Sequence, residues 1–187
     1  MITKQGKIAA QMALVMHNDR RNGVLVKDTT GADVYYFGRA NSNAWPSNGY
    51  SGTGTINIAN PSTNSAAVGV YVGSGTTSPT ENDYTLETPI TSGLSGTMRV
   101  QYSDTLDNDG NPQLVQVLTL RNTSSSDITV SEVGWIAKGL CDASNNTASG
   151  SGKNLLFDRT VLNSPVTIPA GESAAITYTI KAVLPSS

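Results

Sequence analysis

Asp104, Asp107 and Asp109, followed by Gly110, are the residues of this 187-residue chain whose spacing comes nearest to a cation site. A calcium loop aligned on Asp107, Asp109 and Gly110 puts Thr105 at the first ligand position and Gln116 where a bidentate Glu belongs. Two ligands are then of the wrong type. Asn108-Asp109-Gly110-Asn111-Pro112 also lies between two strand candidates, and Asp-Gly is a hairpin signal in its own right. The stretch is therefore read as a structural turn, and no metal ligand is assigned.

Nucleophilic chemistry has little to work with. The chain has one His, His17, and one Cys, Cys141. A single His excludes a multi-histidine metal site, and a single Cys excludes an intrachain disulfide framework. No Gly-x-Ser-x-Gly elbow is present, and Cys141 is read as a spectator thiol. Gly73-Ser74-Gly75 shares only its glycines with a phosphate-cradling loop, lacking the Gly-Lys-Ser/Thr ending and a following helix pattern. Glu81, Asp83, Glu87, Glu132, Asp142, Asp158 and Glu172 could supply a carboxylate pair for glycoside hydrolysis, but nothing in the sequence singles out two of them. The expectation is a protein that is not an enzyme, with no catalytic residue and no cofactor.

Two sets of residues are candidates for contact. Trp45 and Tyr50 stand in a polar loop, where they could stack on a sugar or anchor in a neighbouring subunit, since loop aromatics are favoured interface hot spots. Ile8, Met12, Val15 and Met16 recur near helical spacing and form one apolar stripe. That stripe either caps the chain's own core or docks on a neighbouring subunit.

The elements that must position these residues are mostly strands. The helix candidate spans 4–17. Gly23–Lys27 and Val34–Gly38 flank a turn-forming stretch and read as a hairpin. A polar loop over 39–53 separates an N-terminal segment, 1–50, from a β domain, 51–187. Strand candidates then follow at 55–59, 66–72, 97–102 and 114–120, the last apolar on both faces and so central. Ile128 and Val130 alternate, and the pattern then slips to Val133, Trp135 and Ala137, which predicts a bulge near Ser131–Glu132. Leu155–Val161 comes next. Ala174, Ile176, Tyr178, Ile180 and Ala182 form the inward face of the final strand, after a turn over 168–173. The fold class is mainly β: an antiparallel β-sandwich, Ig-like or jelly-roll-like, with a short N-terminal helix and hairpin.

Composition agrees. Gly, Ser, Thr and Asn together account for 77 residues, and charged residues for 14%, a poor mixture for helices. The net charge of −2 argues against a nucleic-acid partner, although residues 1–39 carry +3 and the remainder −5. Lys4 and Lys7 before Ile8–Met16 superficially suggest a signal peptide. Gln11 interrupts the apolar stretch, however, and no small-residue cleavage site follows. No apolar run approaches the roughly 20 residues of a membrane span, so the expectation is a soluble, unprocessed chain.

Two stretches carry a resemblance. Val72-Gly73-Ser74-Gly75-Thr76-Thr77-Ser78-Pro79-Thr80, continuing to Asp83, Leu86, Pro89 and Ile90, resembles the G-x-G-T-T-x-P-T-x-x-D-x-x-L segment of tailed-bacteriophage tail-fibre and head- or tail-associated proteins. Ile128–Ile136 with its Glu132 and Gly134, followed by Leu155-Leu156-Phe157-Asp158-Arg159, resembles a strand pair of the same proteins, as does the turn and last strand over Pro165–Leu184. The likeness covers 66–184.

The resemblance implies a virion structural protein present in many copies as a homo-oligomer. It would serve in head decoration, a head fibre, the neck or the tail, with capsid, neck or tail components as partners. Residues 1–50 would attach to the particle or to sister chains. Many identical copies multiply a modest contact in a symmetric assembly. A glycan- or host-surface-binding module using loops 41–52 and 141–152 is the alternative.

Overall fold

The computed structural model describes residues 1–4, 6–8, 23–36, 53–56, 69–101, 113–143 and 151–181. Nine strands lie among them: β1 (Val24–Lys27), β2 (Asp33–Tyr36), β3 (Thr53–Ile56), β4 (Gly69–Gly73), β5 (Leu94–Gln101), β6 (Gln113–Asn122), β7 (Ile128–Asp142), β8 (Ser151–Ile168) and β9 (Ser173–Lys181). They form two antiparallel sheets. In the first, β7 is central. One edge of it pairs with β8 along its length, and the other pairs with β4 over Glu132–Ile136 and with β2 at Cys141–Asp142, while β1 lies outside β2. The second sheet has the order β3-β5-β6-β9.

Alternation decides what each strand buries. Leu118 and Leu120 of β6 are buried while Thr119 and Arg121 are exposed. From the first sheet, Val70, Val72, Val130, Val133 and Ile168 meet Leu94, Leu118 and Leu120 of the second, with Ala174, Ile176 and Tyr178 of β9 packed against them. The mainly-β sandwich expected from the pattern is the architecture found. A second cluster continues this core beneath the β1–β2 hairpin. It joins Val26, Val34, Tyr36, Trp135, Ala137, Cys141, Leu155 and Phe157, with the Trp135 and Phe157 rings edge to face at 5.3 Å.

The phase slip falls where the alternation placed it. Val130 pairs with Val166 but Glu132 pairs with Val161, so Ser131 stands opposite four residues of β8. Val130 and Val133 can then both face the core. A second irregularity lies between Trp135 and Ile136. The residue skipped there, Phe157, changes the phase of β8, so that Leu156 and Arg159, three positions apart, both lie on the outer face opposite Ile136 and Gly134.

Several boundaries differ from the sequence reading. β8 continues to Ile168 rather than ending at Val161, and β7 continues to Asp142. Beyond the looped-out residues 162–165, Val166, Thr167 and Ile168 regain pairing with Val130, Thr129 and Ile128, and at the other end Lys138–Cys141 pair with Asn154–Ser151. Residues 24–36 of the N-terminal segment form the edge hairpin of the first sheet. Its turn is organised by the Asp28 carboxylate, which accepts from Thr30 N at 2.9 Å and Ala32 N at 3.1 Å, and Gly31 takes the positive φ of 87° that this turn requires.

The chain's first residues also join this sheet. Ile2 bridges Asp158, Thr3 N donates to Phe157 O at 3.0 Å, and the buried Thr3 hydroxyl donates to Leu156 O at 2.5 Å. Residues 4 and 6–8 then turn helical, with Gly6 N donating to Thr3 Oγ1 at 3.2 Å as a cap. The rest of the 4–17 helix candidate lies outside the described residues. Among those described, no helix is long and apolar enough to cross a membrane.

Candidate functional site

Among the described residues, the outer face of the first sheet carries a concentration of charge. Across Tyr71, Ile136 and Leu156 on that face lies the segment between β4 and β5, which contributes Leu86, and all four side chains are buried. Gly134 stands between them because a Cβ there would come within 2.7 Å of Leu86 Cδ2 and 3.0 Å of Leu156 Cδ1. Beside this small apolar cluster, β7 presents Glu132 and β8 presents Arg159, on residues that are 0% and 3% exposed.

Every hydrogen-bonding position of the Glu132 carboxylate is filled. Oε1 accepts from Gly75 N at 3.2 Å and Thr88 N at 2.7 Å, and Oε2 accepts from Glu87 N at 3.1 Å and Arg159 Nε at 2.7 Å. Four donors match the four acceptor sites of an ionised carboxylate. Arg159 spreads its remaining nitrogens over the crossing segment, with Nη1 2.8 Å from Asp83 Oδ2 and Nη2 3.2 Å from Glu87 Oε2. Asp83 also accepts from Thr80 N at 3.1 Å and Thr80 Oγ1 at 2.7 Å. Glu87 accepts from Thr77 N at 2.8 Å and from the Thr77 hydroxyl.

Two glycines make this approach possible. A Cβ on Gly73 would lie 2.6 Å from Thr88 O, and one on Gly75 would lie 2.6 Å from Glu87 Cβ and 2.7 Å from Glu132 Oε1. The likeness of Gly73-Ser74-Gly75 to a phosphate loop carries no weight: the Gly75 amide donates to Glu132, while the Ser74 amide donates to Thr88 O.

The electrostatics follow from the partners. Burial pushes the Asp83 carboxyl up, but hydrogen bonds from Arg159 and Thr80 outweigh it and hold the group below its ordinary value. The Thr77 hydroxyl and amide hold Glu87 low, helped by Arg159. Burial works against the Arg159 charge, yet Asp83 and Glu132 overcome it and raise the guanidinium further. A glycosidase acid needs a raised pKa so that it carries a proton at neutral pH. Asp83 and Glu87 are shifted the opposite way, and their oxygens are committed to Arg159, Thr77 and Thr80. The cluster suits the clamping of a loop rather than proton transfer.

Of the seven acidic residues weighed from sequence, three meet on Arg159. Asp158 faces the other side, where the Tyr178 hydroxyl donates to it. Ile8 is half-buried against the Val26–Trp135 cluster, so this member of the stripe packs on the chain's own core. Met12, Val15, Met16, Trp45, Tyr50, His17 and the Asp104, Asp107 and Asp109 stretch lie outside the described residues. Cys141 is wholly buried, and burial pushes its thiol up to about 12. Among the described residues, no group of three His, Cys, Asp or Glu is placed to hold a metal ion.

A second polar knot lies at one end of the sandwich. Asn122 Nδ2 donates to Ser126 O at 2.7 Å and Ile168 O at 2.9 Å, and Oδ1 accepts from Ser124 N at 2.9 Å. Asn122 opens one of the two N-x-S/T matches in the chain, but it is 0% exposed and its amide is consumed in tying two turns together.

No family model, no curated protein and no solved structure matches this chain.

Proposed function

We propose that the chain is a non-enzymatic structural component of a tailed-bacteriophage virion, assembling in many copies at the head surface, neck or tail. One observation carries the reading. The two stretches that resemble phage virion proteins, separate in sequence, supply the two halves of one buried clamp. Gly73, Gly75, Asp83 and Leu86 come from the first, and Glu132, Gly134, Leu156 and Arg159 from the second. The motif residues thus serve architecture, as befits a protein whose work is durable contact. The N-terminal segment supports the same reading. Among the described residues β1 pairs only with β2, and its Val24 and Leu25 are 36% and 47% exposed, apolar surface suited to contact with a neighbour.

Gold labelling of purified particles of the phage that encodes the chain, viewed by electron microscopy, tests this. Regular label on shell, neck or tail is the expected result. Particles complete in their other proteins but bearing no label, with mass spectrometry detecting none of this chain, would overturn it and favour the glycan-binding module.

A further inference from the structure

Residues 74–88 leave and re-enter the sheet at one point. Gly73 bridges Pro89, Ser74 N donates to Thr88 O at 2.9 Å, and Ile90 N donates to Val72 O at 3.0 Å. The segment is a closed Ω-type loop, so it can lift away without disturbing β4 or the core between the sheets. What holds it down is largely charge. The amides of Gly75, Glu87 and Thr88 donate to Glu132 of β7, and Arg159 of β8 holds Asp83 and Glu87. The Thr77 and Thr80 amides brace those two carboxylates from within the segment, and Leu86 is its one fully buried apolar side chain.

We propose that residues 74–88 form an acid-releasable flap, closed at neutral pH by Arg159 and opened on acidification to uncover Tyr71, Ile136 and Leu156. Among the described residues, the groups facing it come from each neighbouring element. Glu132 projects from β7 and Arg159 from β8. Lys7 Nζ from the N-terminal segment pairs with Glu81 at 2.8 Å, with Lys4 nearby, and Lys4 N donates to Glu81 O at 2.7 Å. The β1–β2 hairpin sets Gly31 beside Tyr84, with Lys27 2.9 Å from Asp33. Asp83 and Glu87 have side chains 19% and 36% exposed and are within reach of solvent protons. Their protonation removes two of the three carboxylates on Arg159. Both are held below their ordinary values in the closed flap, so the stabilisation is present at neutral pH and is lost as pH falls through those lowered values.

Hydrogen exchange read by mass spectrometry on the full chain, at pH 7 and pH 3 and corrected for intrinsic rates, tests the flap. Protection over 75–88 is expected to fall at least tenfold on acidification while peptides of β6 and β7 stay protected. Loss of protection in the flap and β7 together, or a flap unchanged at pH 3, would overturn the proposal. In the double variant D83N/E87Q, flap protection at pH 7 is expected to be at least tenfold below that of the parent chain. Parent-like protection in that variant would overturn it equally.

Discussion

Arg159 Nε lies 2.7 Å from Glu132 Oε2, an ion pair between adjacent strands whose side chains are 3% and 0% exposed. A buried pair of this kind is weak evidence of net stabilisation, because both charges must be desolvated. Here the four acceptor positions of Glu132 are filled and each Arg159 nitrogen donates to a carboxylate, and the bonds reach into a loop. The pair's clearest consequence is thus positional: it determines where residues 74–88 lie.

Removing one partner strands the other. Arg159→Met leaves Glu132 buried with three backbone donors and no cation, and about 3–5 kcal/mol of stability is expected to be lost. Urea denaturation followed by tryptophan fluorescence measures this.

At high pH the buried tyrosines act. Burial pushes Tyr36 and Tyr71 up to about 12 from 10. An acid whose pKa is raised on folding contributes stability below its unfolded value and loses it as pH climbs toward the folded one. Stability is therefore expected to decline between about pH 10 and 12, by roughly 3 kcal/mol per group. In Tyr71→Phe the decline measured by denaturation against pH should be shallower.

Much of the framework was legible in the sequence because its residues alternate strictly. Ala174, Ile176 and Tyr178 marked the last strand, and the slip from Val130 to Val133 located the bulge. β8 beyond Val161 was not legible, since Leu162-Asn163-Ser164-Pro165 has no alternation and loops out opposite Ser131 before Val166 regains its pairing with β7. The charge cluster was hidden for a different reason. Asp83 and Glu87 stand 76 and 72 positions from Arg159, and local periodicity says nothing about pairs that far apart. A signal did exist. Glu132 stands between Val130 and Val133, and Arg159 closely follows the apolar run Leu155-Leu156-Phe157, and charges set among buried apolar residues need partners.

The glycine at position 73 is expected to be indispensable to the clamp. Gly73→Ala brings a methyl against the Thr88 carbonyl, which belongs to the backbone and cannot swing aside, so a loss of about 1–3 kcal/mol is expected. Gly171 offers a contrast. It has a positive φ of 79° and no atom near its missing Cβ, so Gly171→Ala should cost only about 1 kcal/mol of backbone strain. Thermal denaturation of the two variants should rank them in that order.

Asn122→Ala removes donors to Ser126 O and Ile168 O and the acceptor for Ser124 N. With buried backbone groups left unpaired, about 2–4 kcal/mol is the expected loss, measurable by the shift of the urea midpoint at unchanged slope.

A double-mutant cycle on Arg159→Met and Glu132→Leu, read as unfolding free energy, bears most directly on the claim that these residues form one architectural clamp. A favourable coupling of about 2–3 kcal/mol is predicted, with the double variant more stable than either single one. Coupling below about 0.5 kcal/mol, with the two losses simply adding, would contradict the account.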